Sequence, residues 1–341
     1  MRAKSIRVAA MLFFCVVCSA LAQARPFSIF SRDPYGVPES EFRSYKGLND
    51  QEARLREFKD SDETLRIKIA QLHAVNESRK RHRLQELELD ILASRVANKM
   101  AAESATEGYF GHYNLRGEKP YHRYAFAGGV DHVTENASMS EIEGGVFDTS
   151  AKEALRLMQE AHQNMYNERP PADGHRKNIL DPNHNLVGLG LYLDEHRFRY
   201  YEEYIDSYLE FLDYPKGDIR PGQTFTVAFR PLERDRYPYA VMVYYEPFPR
   251  HMSARQINRT NSYPDYTDAK VFDLWPYDLG ALEKPDRVEV PLRFDKEGLY
   301  YVNIYLSDSE ETGECRQRGG CSYSTVGKIQ ASGLVIQVQG R

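Results

Sequence analysis

The chain has 341 residues, with 28% charged and 41% hydrophobic side chains, the balance of an ordinary globular protein with room for two domains. Its formal net charge of −5 supplies no basic excess, so nucleic-acid binding has no support in composition.

The first 24 residues read as an export signal. Arg2, Lys4 and Arg7 precede an apolar run from Val8 to Val17, and Ala20-Leu-Ala22 or Ala22-Gln-Ala24 offers a cleavage site. The run is too short to span a bilayer, so no transmembrane segment is expected after removal. Cys15 and Cys18 leave with the signal. Cys18 lacks the small residue that a lipid-modified start wants before it. Cys315 and Cys321 remain, six positions apart, and read as a small-loop disulfide of an oxidising compartment. A secreted or periplasmic location follows.

From Arg25 to residue 60 the chain reads as a loose polar extension, with a short helix over Asp50–Phe58. Asp60 with Glu63 suggests a capping box. Leu65, Ile69, Leu72 and Val75 then repeat at helical spacing. Arg79-Lys-Arg-His-Arg83 reads as a solvated turn. Leu87, Ile91, Val96 and Met100 predict a second helix. A third, capped by Asp148 or Thr149, carries Ala154, Leu157, Met158, Ala161 and Met165. Val187–Leu193 and Arg197–Ile205 predict paired strands. Residues 61–213 therefore read as α+β, or as an α/β/α sandwich. After Pro215 the composition changes to short β-branched or aromatic runs: Thr224–Phe229, Ala240–Tyr245, Val288–Phe294, Tyr300–Leu306 and Leu334–Val338. Turn residues separate them, so residues 216–341 read as an all-β sandwich. A fragment ending near Asp213 is expected to fold alone.

Polar residues set among the apolar segments carry the chemistry. His112 in Phe-Gly-His, Glu135 in Thr-Glu-Asn and His175 in Gly-His-Arg-Lys-Asn-Ile-Leu meet only if the fold brings them together. Two imidazoles and a carboxylate can hydrogen-bond each other, move protons, or hold a divalent metal such as zinc through His112 and His175. No cofactor is required by the pattern. Ser138 and Ser140 are available hydroxyls, with Ser138 read as a turn or helix cap. His122 and His132 read as loop surface, and His73, His162, His184, His196 and His251 belong to no constellation. Asn76, Asn136 and Asn258 sit in Asn-x-Ser/Thr sequons.

Asn76-Glu-Ser-Arg79, Leu87-Glu-Leu-Asp90, Ala97-Asn-Lys-Met100, Tyr109-Phe-Gly-His112, Thr134-Glu-Asn136, Gly174-His-Arg-Lys-Asn-Ile-Leu180 and Val187-Gly-Leu-Gly190 occur in this order. Together they resemble the CAP superfamily of cysteine-rich secretory, antigen five and pathogenesis-related one proteins, and its bacterial SCP-like branch most. Arg123 falls where a family Arg follows the His. The resemblance covers residues 61–213. It implies an α/β/α sandwich with a cleft lined by His112, Glu135 and His175. Met165-Tyr-Asn-Glu168 resembles the family's Trp-Tyr-x-Glu and makes Glu168 the fourth cleft residue. The Trp is replaced by Met165, Thr134 stands where Gly is usual, and Arg169–Asp173 lengthens the linker before Gly174. The resemblance implies a secreted, non-enzymatic binding or effector module with a lipid, cell-envelope or protein ligand. The alternatives are a metal-dependent hydrolase at the His/Glu cleft and adhesion through an immunoglobulin-like β-domain.

Overall fold

A computed structural model describes residues 33–260, 262–264, 270–284, 286–310 and 323–340. The export signal and both Cys315 and Cys321 lie outside the described residues. Among these residues no helix is long and apolar enough to cross a membrane.

The N-terminal half runs α1 (Glu39–Gln51), a 3-10 turn (Arg56–Phe58), α2 (Asp62–Lys80), β1 (Glu88–Leu89), α3 (Ile91–Thr106), α4 (Pro120–Phe126), β2 (His132–Glu141), α5 (Ala151–Tyr166), α6 (Gly174–Ile179), β3 (Leu186–Leu193) and β4 (Arg197–Asp206). The sheet order is β1-β3-β4-β2, so β2 is an edge strand. Side chains alternate across β4. Phe198, Tyr200 and Tyr204 join the core under α2 and α5. Tyr201 and Ile205 face α3. Helices therefore cover both faces of the sheet. Gly188 and Gly190 let α3 approach β3 closely. A Cβ on Gly188 would lie 2.4 Å from Ala93 Cβ, and one on Gly190 would lie 2.2 Å from the Ala97 carbonyl carbon.

Several local expectations shift by a residue or a role. Ser61 caps α2 by accepting Thr64 N, in place of Asp60. Asp90 caps α3 by accepting Ala93 N at 2.6 Å. A capping residue keeps β-region dihedrals, so the chain before it stays extended. Glu88–Leu89 accordingly pairs with β3 and does not extend the helix back to Leu87. Ser150, not Asp148 or Thr149, caps α5. The extension holds the 13-residue α1 in place of the short helix expected over Asp50–Phe58. The basic run is not a solvated turn at its start. Arg79 is fully buried and donates to the carbonyls of Gln85, Ile179, Asp181 and His184. These four oxygens satisfy the guanidinium that burial strips of water.

The C-terminal half comprises β5 (Leu209–Asp213), β6 (Thr224–Pro231), β7 (Tyr237–Glu246), α7 (Ala254–Ile257), β8 (Lys270–Leu274), α8 (Pro276–Gly280), β9 (Glu283–Lys284), β10 (Arg287–Arg293), β11 (Gly298–Ser307), β12 (Ile329–Gln330) and β13 (Leu334–Val338). Two antiparallel sheets form, β5-β6-β10-β9 and β12-β11-β7-β8, with β13 also on β11. One core draws Val227, Phe229, Val288 and Val290 from the first and Val241, Val243, Val302 and Ile304 from the second. Strand β5 pairs with β6, so Leu209–Asp213 belongs to the C-terminal sheets.

Candidate functional site

The Tyr109-Phe-Gly-His112 segment leaves α3 through Gly108, whose φ of +70° favours glycine. Tyr109 is buried and its hydroxyl donates to Glu103 at 2.9 Å, which fixes the loop. His112 Nδ1 then lies 2.7 Å from Glu135 Oε1. Arg123 on α4 ties the pair down. It donates through Nη1 to the His112 carbonyl at 2.6 Å and through Nη2 to Glu135 Oε2. The same Nη2 reaches Glu203 Oε1 at 3.4 Å. Glu203 stands directly opposite Glu135 in the β2–β4 register.

This cluster holds two buried carboxyls and one guanidinium. Burial pushes Glu135 up to about 7 against the pull of Arg123. Burial, then the Glu135 charge, pushes Glu203 well above the usual carboxylate range. Two such acids share a proton and titrate as a pair. Burial, then Arg123, lowers His112 to about 4, so its imidazole is neutral. With Nδ1–H given to Glu135, His112 presents Nε2 as an acceptor.

The second imidazole is built separately. His175 lies in the first turn of α6, and Glu168 follows the end of α5. Glu168 Oε1 lies 2.5 Å from His175 Nδ1, and Oε2 accepts His175 N at 3.1 Å. The structure thus brings Glu135 to His112 and Glu168 to His175. Among the described residues no hydrogen bond joins the two pairs directly. They are linked through β2. Asn136 Nδ2 donates to the His175 carbonyl at 3.1 Å, Asn178 Nδ2 donates to Asn136 Oδ1 at 3.0 Å, and Thr134 Oγ1 donates to Asn178 Oδ1 at 2.6 Å. Alternation along β2 sends Glu135 to one face and Thr134 and Asn136 to the other. The two histidines therefore flank this edge strand from opposite faces. The His112 side chain is 15% exposed and that of His175 36%. Among the described residues no group of three or more His, Cys, Asp or Glu is arranged to hold a metal. Zinc would have only the two imidazoles, short of the three protein ligands of a catalytic zinc site.

Several histidines depart from the sequence reading. His122 is buried, not loop surface; its Nε2 lies 3.3 Å from Glu246 Oε2. His132 opens β2 and pairs with Asp206 at 2.8 Å; His184 takes the other Asp206 oxygen at 2.6 Å. His162 pairs with buried Glu202 at 2.8 Å. Ser138 lies within β2 and caps nothing. Asn136 is buried, which removes its sequon from the surface. Glu202, Glu203 and Asp206 went unread. Their signal was carboxylates within and at the end of the otherwise apolar segment Tyr200–Asp206, which must find partners when buried.

The family model "CAP: Cysteine-rich secretory protein family" matches residues 72–204. The chain carries a CAP domain. The match takes in His112, Glu135, Glu168 and His175 and ends within β4. Similar solved structures include an extracellular protein containing a SCP domain from Bacillus anthracis str. Ames, 18% identical with a TM-score of 0.29 over 50% of this chain and 44% of that one. An outer surface protein from Borrelia burgdorferi is 18% identical with a TM-score of 0.30, over 40% of this chain and 91% of that one. The chain thus spans less than half the length of the first. No curated protein matches the sequence at a significant level. Within the CAP domain, Arg123 also lines a cavity of about 400 Å³ with Val96, Lys99, Met100, Glu118 and Phe126.

Proposed function

We propose that the protein is an exported, non-enzymatic binding module that seats its ligand between His112 and His175 along the edge of β2. The observation that carries this reading is the double clamp. Each imidazole has its Nδ1 on a carboxylate, so both rings are fixed before a ligand arrives. Pre-set polar groups lower the ordering cost of association. The signal-like start of the chain supports export to the periplasm or beyond. The two facing antiparallel sheets support an immunoglobulin-like sandwich for the C-terminal half.

Expected behaviour follows. The wild type binds glycan oligomers, lipid vesicles or an envelope protein without turning over ester, peptide or glycan substrates. A His112→Ala/His175→Ala variant loses that binding while keeping its thermal transition. Turnover that disappears in the double variant would overturn the reading. A second reading, a metal-dependent hydrolase, draws on the same carboxylate–histidine pairs, because such pairs orient metal-ligating imidazoles. Its test is zinc titration: binding that depends on both histidines and weakens as acid protonates them supports it.

A further inference from the structure

Strand β7 leads at Glu246 into residues 247–260 and 262–264, which run back over the CAP domain. Met252 N donates to the Leu115 carbonyl at 2.8 Å, and Phe110 N donates to Asn258 Oδ1 at 2.7 Å. Ile257 is fully buried in a cluster with Met100, Tyr109, Ala137 and Tyr201 of the CAP domain. Two glycines admit the segment. A Cβ on Gly117 would lie 2.1 Å from the Arg250 carbonyl oxygen, and one on Gly111 would lie 3.2 Å from Ile257 Cγ2.

A polar latch fixes the far end. Lys119 Nζ pairs with Glu246 Oε1 at 2.7 Å. Lys119 Nζ and the Tyr121 hydroxyl each donate to the Pro264 carbonyl at 3.3 Å. Next to Pro264, the Tyr263 ring stands 5.1 Å from the His112 ring at 66°, edge to face. It is also 6.1 Å from Tyr121. Tyr263 thus stands beside an imidazole whose side chain is 15% exposed.

We propose that Tyr263, supplied by the C-terminal half, is a wall of the His112 cleft, and that this composite site takes a carbohydrate. The proposal rests on the binding reading above. A sugar hydroxyl donates to His112 Nε2, and the C–H face of the ring packs on Tyr263. The chemistry favours a neutral polyol. Nε2 is an acceptor and calls for a donor. Tyr263 offers a flat apolar surface beside it.

The test is carbethoxylation of His112 by diethyl pyrocarbonate in the full chain at pH 7, mapped by peptide mass spectrometry. Tyr263→Ala should speed modification of His112 several-fold and leave His175 unchanged; Tyr263→Phe, which keeps the ring, should behave as wild type. A soluble N-acetylglucosamine oligomer should slow the reaction in wild type and not in Tyr263→Ala. Near-ultraviolet circular dichroism checks that Tyr263→Ala is folded. An unchanged His112 rate in Tyr263→Ala would overturn the wall. Protection by phosphatidylcholine vesicles but not by the oligomer would overturn the carbohydrate and leave the binding reading standing. Protection by neither probe would overturn the carbohydrate and count against the binding reading too, while the Tyr263 effect on rate would still decide the wall.

Discussion

Glu203 shows how one buried side chain sets the chemistry of its neighbours. It sits opposite Glu135 with a single guanidinium between them, and its Oε2 has no hydrogen-bond partner among the described residues as an ionised oxygen. A proton on Glu203 removes the repulsion and leaves Glu135 to accept from Arg123 and His112. The stability consequence has a definite sign. A carboxyl whose folded pKa is raised binds its proton more tightly in the folded state. The unfolded chain releases that proton above its ordinary value near 4.5, so stability falls as pH rises from there towards the folded pKa. Glu203→Gln copies the protonated acid and abolishes this loss. Its melting temperature, measured against wild type from pH 5 to 9, should gain steadily as pH rises. A difference independent of pH would mean that Glu203 is ionised in the fold. His112, Glu135, Glu168 and His175 were legible in the sequence because each lies in a short motif. Glu203 was not, because its role comes from strand register and burial, and neither is written locally.

At the scale of elements, the helices and strands were largely legible and their ends were not. Apolar spacing placed the three longer helices and the β3–β4 pair, since those periods report which face is buried. The ends turned on competing caps. Ser61, Asp90 and Ser150 each won by reaching a free amide three residues on. Gly188 and Gly190 were readable as a motif, but the reason for them, the passage of α3 across β3, appears only in three dimensions. Strand β2 and helix α4 were missed, and so was the α7 segment. Four residues of helix in a polar loop carry no periodic signal, yet Ile257 completes a CAP-domain core cluster. Ile257→Ala should cost about 2–5 kcal/mol in chemical unfolding, the usual range for emptying a buried aliphatic site. A loss within experimental error would show that the segment does not pack there in solution.

For the whole molecule, the composition break near Pro215 separates two kinds of secondary structure, but the structure joins the two halves closely. Tyr301 and Leu299 of β11 share a cluster with Tyr121, Tyr124 and Val96 of the CAP domain. Glu246 bridges to Lys119 and His122. A fragment ending at Asp213 folds alone only if it tolerates an unpaired β5 and these uncovered side chains. Composition changes mark where the local pattern alters; they do not show how much surface the two parts bury against each other. The setting of His112 depends on that burial, because CAP-domain groups desolvate the ring and Tyr263 stands 5.1 Å from it. Titration of the His112 ring by NMR in the full chain reads this arrangement most directly. The imidazole should still be neutral at pH 5 and gain its proton only near pH 4. A midpoint at or above the ordinary value of about 6.5 would show an exposed ring or an imidazolium paired with ionised Glu135, and would contradict the neutral, buried imidazole described above.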